Sequence, residues 1–585
     1  MPAAAVYTPV RALFISGLAL VCAPALAQTT VSSVQFEKST IVGREGFFGV
    51  GRSTDGFWWM IDPDGKPFFY KGVTSVNRAG TMGGRRAKPG PYAAVVDQKY
   101  NWPNDKEPFV KSVVQRLREW NFNALGAWTT EEFFDKGLPY TEIIEFFKEG
   151  PFVSDSDELD PDAYGATARG IPDVFDPLWQ QAADRKAELL CRPRKDSKLL
   201  VGYFTDNEIG FAEPRRSGRQ ADPAAATSPG RPGLLQICLS ADEKRSAHQV
   251  AWDMVLKKHG TTQKAAAAWG IKDASLEALR RMRADGTAIV SDGFVADNQA
   301  FVKLFAGRYF RIAAETIRRH DPNHLILGCR WGSPPANWVL AEQKPWTDII
   351  SANNYQDIMY ERMDIIWRAT QMPILIGEFN WNTDYFRAIG MAGEKPGQFA
   401  NATERMLHKG RQALERTFAH PGVVGYTFYR WVHGSGGGLV DQQDQPNLRD
   451  IPQLKDLNAR AEAIRLAAAR VDAAPISGIV TISLVGGRGG GERVVVAVDV
   501  TDGKWDVSAR GASIEGKVLS SRGEAGKVEL TLDLMFTSGR FTGPTGKGQY
   551  TVSVQRRGIV LEGTFTGTFN GQPVKGPALG FIERP

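Results

Sequence analysis

The sequence predicts a (β/α)8 barrel followed by a separate all-β domain, on two observations. Short apolar β-type runs alternate with helical patterns between about residues 67 and 470, which argues for βα units and a parallel sheet. Past Val471-Asp472-Ala473-Ala474-Pro475 that alternation stops, and β-type runs are separated only by Gly-rich turns.

Eight strands are expected: Phe68–Ser75, Phe122–Trp128, Tyr140–Phe147, Leu199–Asn207, His324–Trp331, Asp348–Tyr355, Pro373–Phe379 and Val423–Trp431. Eight is the number that closes such a barrel, and several runs are apolar throughout, as strands covered on both faces should be. Helices fill the gaps. Phe109–Trp120 has apolar residues at helical spacing, and Asp176–Leu190 opens on an Asp-Pro cap. Asn298–His320 is long and amphipathic and stops at Asp321-Pro322, while Gln453–Arg470 would close the ring. One connection is oversized, an insertion at 209–322 with an Arg/Pro/Gly-rich loop (Pro214–Gly233) and at least three helices. The loop Asn77–Asn104 is long as well. Both should lie on the C-terminal face of the barrel, where the loops carry function.

The ends of the chain read differently. Arg11, the apolar run Ala12 to Ala23 and Ala25-Leu26-Ala27 form the tripartite pattern of an export signal over residues 1–27. The run is too short for an ordinary membrane span. Residues 28–470 would then be the barrel domain, in a periplasmic or extracellular location, with no stable membrane insertion after cleavage. Cys191, Cys238 and Cys329 remain; Cys191 and Cys238 could pair, whereas Cys329 reads as core. Residues 476–585 read as an antiparallel sandwich or barrel, and the glycines at 486–491 as a hairpin loop. The single tryptophan there, Trp505, favours a spacer over a sugar-binding module.

With 71 basic and 65 acidic residues, the net charge of +6 is mild, and no Lys/Arg block suggests a nucleic-acid partner. No Cys/His spacing suggests a metal, and the oligomeric state is left open.

Two glutamates carry the chemistry. Strand four ends Tyr203-Phe204-Thr205-Asp206-Asn207-Glu208 and strand seven ends Gly377-Glu378, so both carboxyl groups should reach the C-terminal mouth from opposite sides. Two carboxylates about 5–5.5 Å apart across a sugar are the apparatus of retaining glycoside hydrolysis, one the nucleophile and the other the acid and then the base. A lone glutamate after an apolar strand more often just pairs with an arginine; two of them, with Asn207 before the first, favour catalysis. Arg330 and Trp331, ending strand five, and Trp128, ending strand two, are weaker candidates for binding sugar. His433 could bind substrate, and Asp206 should support Asn207. Arg78, Arg85 and Arg86 could meet a sulfate or uronate, or simply be solvated.

An Asn-Glu pair ending strand four and a Glu ending strand seven resemble the clan-A glycoside hydrolases. The chain looks most like the family 50 β-agarases and, more distantly, the family 42 β-galactosidases. The resemblance runs in order through GFWWMIDPDGKPFFYKGV (56–73), RLREWNFNALGAW (116–128), DVFDPLW (173–179), GYFTDNEIGF (202–211), AAAAWGI (265–271), RRHDPNHLILGCRW (318–331), SANNYQ (351–356) and PILIGEFNW (373–381). It implies Glu208 as acid/base, Asn207 as partner of the sugar 2-hydroxyl, Glu378 as nucleophile and Tyr355 as donor to Glu378. It also implies Trp431 as sugar platform. No metal or organic cofactor is implied, since the carboxylates suffice. The chain departs from the family at Arg430-Trp431-Val432-His433, which runs into Gly434–Gly438, and in the loop after Glu208. Both places bear on which glycan is bound. A transglycosylase, a hydrolase for another β-glycan and a catalytically silent sugar-binding protein stay open; retention of both glutamates speaks against the last.

Overall fold

The computed structural model describes residues 33–82, 88–153, 170–211, 232–285, 287–388, 394, 397–433, 437–486, 492–507, 514–524, 526–536 and 546–583. The export pattern, Arg85, Arg86, most of the Arg/Pro-rich loop and most of the glycines at 486–491 lie outside the described residues.

Four short strands come first: β1 (Val42–Gly43), β2 (Gly49–Arg52), β3 (Trp58–Ile61) and β4 (Pro67–Phe68), paired antiparallel in that order. The closed parallel barrel follows as β5 (Tyr70–Val73), β6 (Ala124–Leu125), β7 (Tyr140–Ile143), β8 (Leu200–Asn207), β9 (Leu325–Trp331), β10 (Ile350–Asn354), β11 (Ile374–Phe379) and β12 (Val423–Phe428). It closes where β12 pairs with β5, Gly425 opposite Tyr70. All eight expected strands are present, each within its expected run.

The small sheet ahead of the barrel is a plug. Phe48, Val50 and Met60 of the small sheet share one buried cluster with the barrel's interior residues Tyr70, Ala124, Val201, Leu327, Leu375 and Val424. Apolar side chains thereby seal the N-terminal mouth and leave the other end for chemistry.

The helices form the outer layer. The Asp176 side chain accepts a hydrogen bond from the Leu178 amide, capping Pro177–Cys191 as its sequence predicts. The long helix spans Asp292–His320, beginning earlier than expected because Ser291 caps it. Leu234–Leu239, Ser246–His259, Thr262–Trp269 and Leu276–Ala284 build the insertion. Cys191, Cys238 and Cys329 are all free and buried, so the first two do not pair.

The C-terminal domain is one eight-stranded antiparallel sheet: β13 (Gly478–Gly486), β14 (Glu492–Thr501), β15 (Lys504–Val507), β16 (Ile514–Glu524), β17 (Lys527–Phe536), β18 (Gly546–Arg557), β19 (Val560–Phe569) and β20 (Gln572–Ile582). First and last strands pair, β13 with β20, and the edge strands β15 and β16 approach each other, so the sheet curls into a barrel-like wrap. Alternate residues, among them Val480, Ile482, Leu530, Leu532, Val552 and Phe565, fill its interior. This domain is braced against the parallel barrel. Tyr360 donates to Glu562 at 2.8 Å, and Arg416 pairs with Glu583 at 3.2 Å while its guanidinium lies over Phe581. Among the described residues no helix is long and apolar enough to cross a membrane.

Candidate active site

Strand register brings the site together. Asn207 of β8 lies opposite Arg330 of β9, and a shift in the β10–β11 ladder after Ala352 sets Asn353 opposite Glu378. The ladder continues one residue past β8: the Glu208 amide donates to the Arg330 carbonyl at 2.8 Å, and Glu208 then turns with φ +51°. A left-handed glutamate is costly backbone, and it aims the half-buried side chain off the strand line.

Glu378 is buried at 4% exposure. The Arg330 guanidinium lies 3.0 Å from one carboxylate oxygen, and the Tyr355 hydroxyl donates to the other. Arg330 is itself fully buried, donates to the Gly377 carbonyl at 2.6 Å, and stacks on Trp128 with its guanidinium 4.5 Å from the ring centre. Gly377 is required here, since a Cβ would stand 2.7 Å from Arg330 Nε and from Asn353 Oδ1. On the facing side Asn353 donates to Glu208 at 2.8 Å and to Asn207 at 3.1 Å. Gly332 also backs Glu208, a Cβ there coming within 3.2 Å of its carboxyl carbon.

The electrostatics are opposed. Burial and the nearby Glu208 charge push the Glu378 carboxyl up to about 7, against the pull of Arg330 and the Tyr355 hydroxyl, which favour the ionised form. Glu378 does pair with an arginine, yet Glu208 acts on it from across the same site.

Of the binding candidates, Asn207, Tyr355, Arg330 and Trp128 gather here. His433 stands beside them, its ring 6.0 Å from that of Tyr429; burial and the neighbouring Arg430 charge lower its pKa and favour the neutral ring. Two expectations are corrected. Trp431 is fully buried behind the site, stacked on Trp120 at 5.9 Å, with Arg116 over its ring and its indole N–H donating to the Tyr92 hydroxyl. Trp331 donates to Gln343 and packs against Phe211 and Phe310 in the helix layer. Alternation explains the second, because successive residues of β9 face opposite sides and Arg330 takes the inner one. The aromatic that leaves β12 toward the carboxylates is Tyr429, half-buried, 6.0 Å from the Tyr355 ring, and felt electrostatically by both Glu378 and Glu208. Asp206 accepts from the Phe147 amide and the Tyr309 hydroxyl, anchoring the loop after β7. Arg78 is held by Asp97. Sequence reasoning missed Asn353 and Tyr429; the doubled asparagine of Ser351-Ala352-Asn353-Asn354-Tyr355 was the available signal for the first.

No family model matches the sequence. β-Agarase A of Vibrio sp. (strain JT0107) is 25% identical over 438 residues, 66% of this chain and 42% of that protein. β-Agarase B of the same strain is 25% identical over 301 residues, half of this chain and 29% of that protein. An exo-β-agarase of solved structure superposes with a TM-score of 0.56 at 20% identity, covering 73% of this chain and 66% of the other. The agarase AgWH50C gives 0.54 at 21% identity over 72% and 66%. The chain is similar to the family 50 β-agarases. This agarase-like chain spans less than half the length of the curated relatives it matches. Among its described residues no group of three or more His, Cys, Asp or Glu side chains could hold a metal ion.

Proposed function

We propose that the chain is an exported retaining glycoside hydrolase acting on a β-linked, galactan-type glycan or its oligosaccharides. The observation that carries this is the buried Glu378, clasped by Arg330 and Tyr355 within the electrostatic reach of Glu208. In this reading Glu208 protonates the glycosidic oxygen while ionised Glu378 attacks the anomeric carbon. The leaving sugar departs, and Glu208 then takes a proton from water as it displaces Glu378. Tyr355 and Arg330 stabilise the nucleophile's charge, Asn207 is placed for a ring hydroxyl, and Tyr429 offers an aromatic wall. The pattern over residues 1–27 supports export.

A panel of agar-derived and other β-glycan oligosaccharides, with products read by mass spectrometry and anomers by NMR, tests this. Glu378→Ala should lose at least about 10⁴-fold in kcat, while Glu208→Ala should spare aryl glycosides with activated leaving groups. Wild-type turnover by both variants would refute the assignment, and an inverted first product would refute retention.

A further inference from the structure

Three arginines border the carboxylates. Arg330 pairs with Glu378 through Nη2, while its Nε and Nη1 are buried without a hydrogen-bond partner. Arg362, 8% exposed, reaches back from the helix after β10 (Met359–Thr370) and donates to the Gly332 carbonyl at 2.8 Å, on the residue that backs Glu208. Arg430 leaves β12 beside Tyr429, its guanidinium 5.6 Å from that ring, and its Nε and Nη1 are buried with no hydrogen-bond partner. Neither Arg362 nor Arg430 has a carboxylate partner among the described residues.

A buried guanidinium donor without a partner is costly, because it forfeits water and gains nothing in return. The imbalance is also one of charge. Arg362 lies in the field of Glu208 and both Arg330 and Arg430 in that of Glu378, so three cations stand against two carboxyl groups. A planar guanidinium with free N–H groups fits the oxygens of a carboxylate or sulfate two at a time, which a neutral hydroxyl cannot match.

We propose that the site takes a glycan bearing an anionic group, a sulfate ester or a uronate carboxylate, which Arg430 grips with Arg362 supplying further positive field. This rests on the glycoside hydrolase reading and names its substrate class. The neutral chain of agarose would bring no charge to Arg430, whose Nε and Nη1 have no partner.

The test compares kcat/KM on matched oligosaccharides that are neutral, sulfated or uronate-containing, together with a neutral activated aryl glycoside. The anionic members should lead the neutral one by at least tenfold, and that lead should shrink as salt rises from 20 to 500 mM, values chosen to bracket the screening range. The sulfated and uronate arms identify which anion is meant. Arg430→Gln should cut the anionic-to-neutral ratio at least tenfold, and Arg430→Lys should keep part of it. Equal or better turnover of the neutral oligosaccharide, at every salt concentration, overturns the anionic class and leaves the hydrolase reading standing. If not even the aryl glycoside is cleaved, calorimetry on the full chain decides: failure to bind the anionic oligosaccharides more tightly than the neutral one overturns both, and tighter binding of them keeps the anionic preference while the hydrolase reading falls.

Discussion

The molecule holds a closed parallel barrel and an eight-stranded barrel-like sheet, and they spend backbone strain in different places. Among the described residues of the C-terminal domain, positive φ falls on Gly478, Gly526, Gly558 and the two-residue hairpin turns Asp502-Gly503 and Asn570-Gly571, where Asp, Asn and Gly adopt it cheaply. In the parallel-barrel domain some of it falls on helix caps and loops, at Asn101, Asn121, Asp135, Gln371 and Asp444, but four further residues, Ser75, Trp128, Glu145 and Glu208, adopt it just beyond the C-terminal ends of β5 to β8. Trp128 stacks on Arg330, and Glu208 turns out beside Asn353. Strain on bulky residues is retained only where surrounding structure enforces it, and such positions cluster at functional sites. The interiors differ likewise. One is filled with Val, Leu, Ile and Phe, while the other ends in a charged layer over an apolar plug. The first is organised for stability and the second for reactivity.

Arg330→Gln should break that contrast most severely, because it leaves Glu378 buried without its cation. Removing one partner of a buried pair costs about 3–5 kcal/mol. A raised carboxyl ionises only as pH climbs through its pKa, so kcat/KM of the wild type should rise with pH through about 7 as Glu378 gains its charge. In the variant that acid limb should move to higher pH, with activity partly recovered in alkali. An unmoved limb in the pH–rate profile would mean that Arg330 does not govern the nucleophile. Leu532→Ala is the counterpart in the other barrel. Leu532 is fully buried, and its truncation should cost about 2–5 kcal/mol while leaving kcat/KM at 25 °C within about twofold. A proportional loss of activity would show that the C-terminal domain contributes to catalysis through its brace on Tyr360 and Arg416.

The barrel was legible because its signal is repeated eight times, in apolar runs and in caps such as Asp176-Pro177. Glu208 and Glu378 were legible because a strand's end fixes where its last side chain goes. What the sequence hid was short or non-local. Strands of two residues, such as β1 and β4, carry no periodicity, so the N-terminal plug was not legible. Asn353 gains its place from a shift of register between β10 and β11, which no single segment encodes. The charge balance around Arg430 depends on residues from β9, β11 and the helix after β10 meeting in space.

The smallest effect is also the sharpest test of which aromatic meets sugar. Tyr429 and Trp431 lie two residues apart past β12, yet one faces the carboxylates and the other the helix layer. Trp431→Phe keeps a ring against Trp120 and loses the hydrogen bond to Tyr92, so stability should fall by about 1 kcal/mol. KM should stay within about twofold, since nothing that touches substrate has moved. Tyr429→Ala should instead raise KM several-fold with little change in the unfolding midpoint. Steady-state kinetics beside thermal unfolding of both variants reads the two effects apart. The reverse pattern, a large KM effect at 431 and none at 429, would return the platform to Trp431 and require the β12 end to turn over when substrate binds.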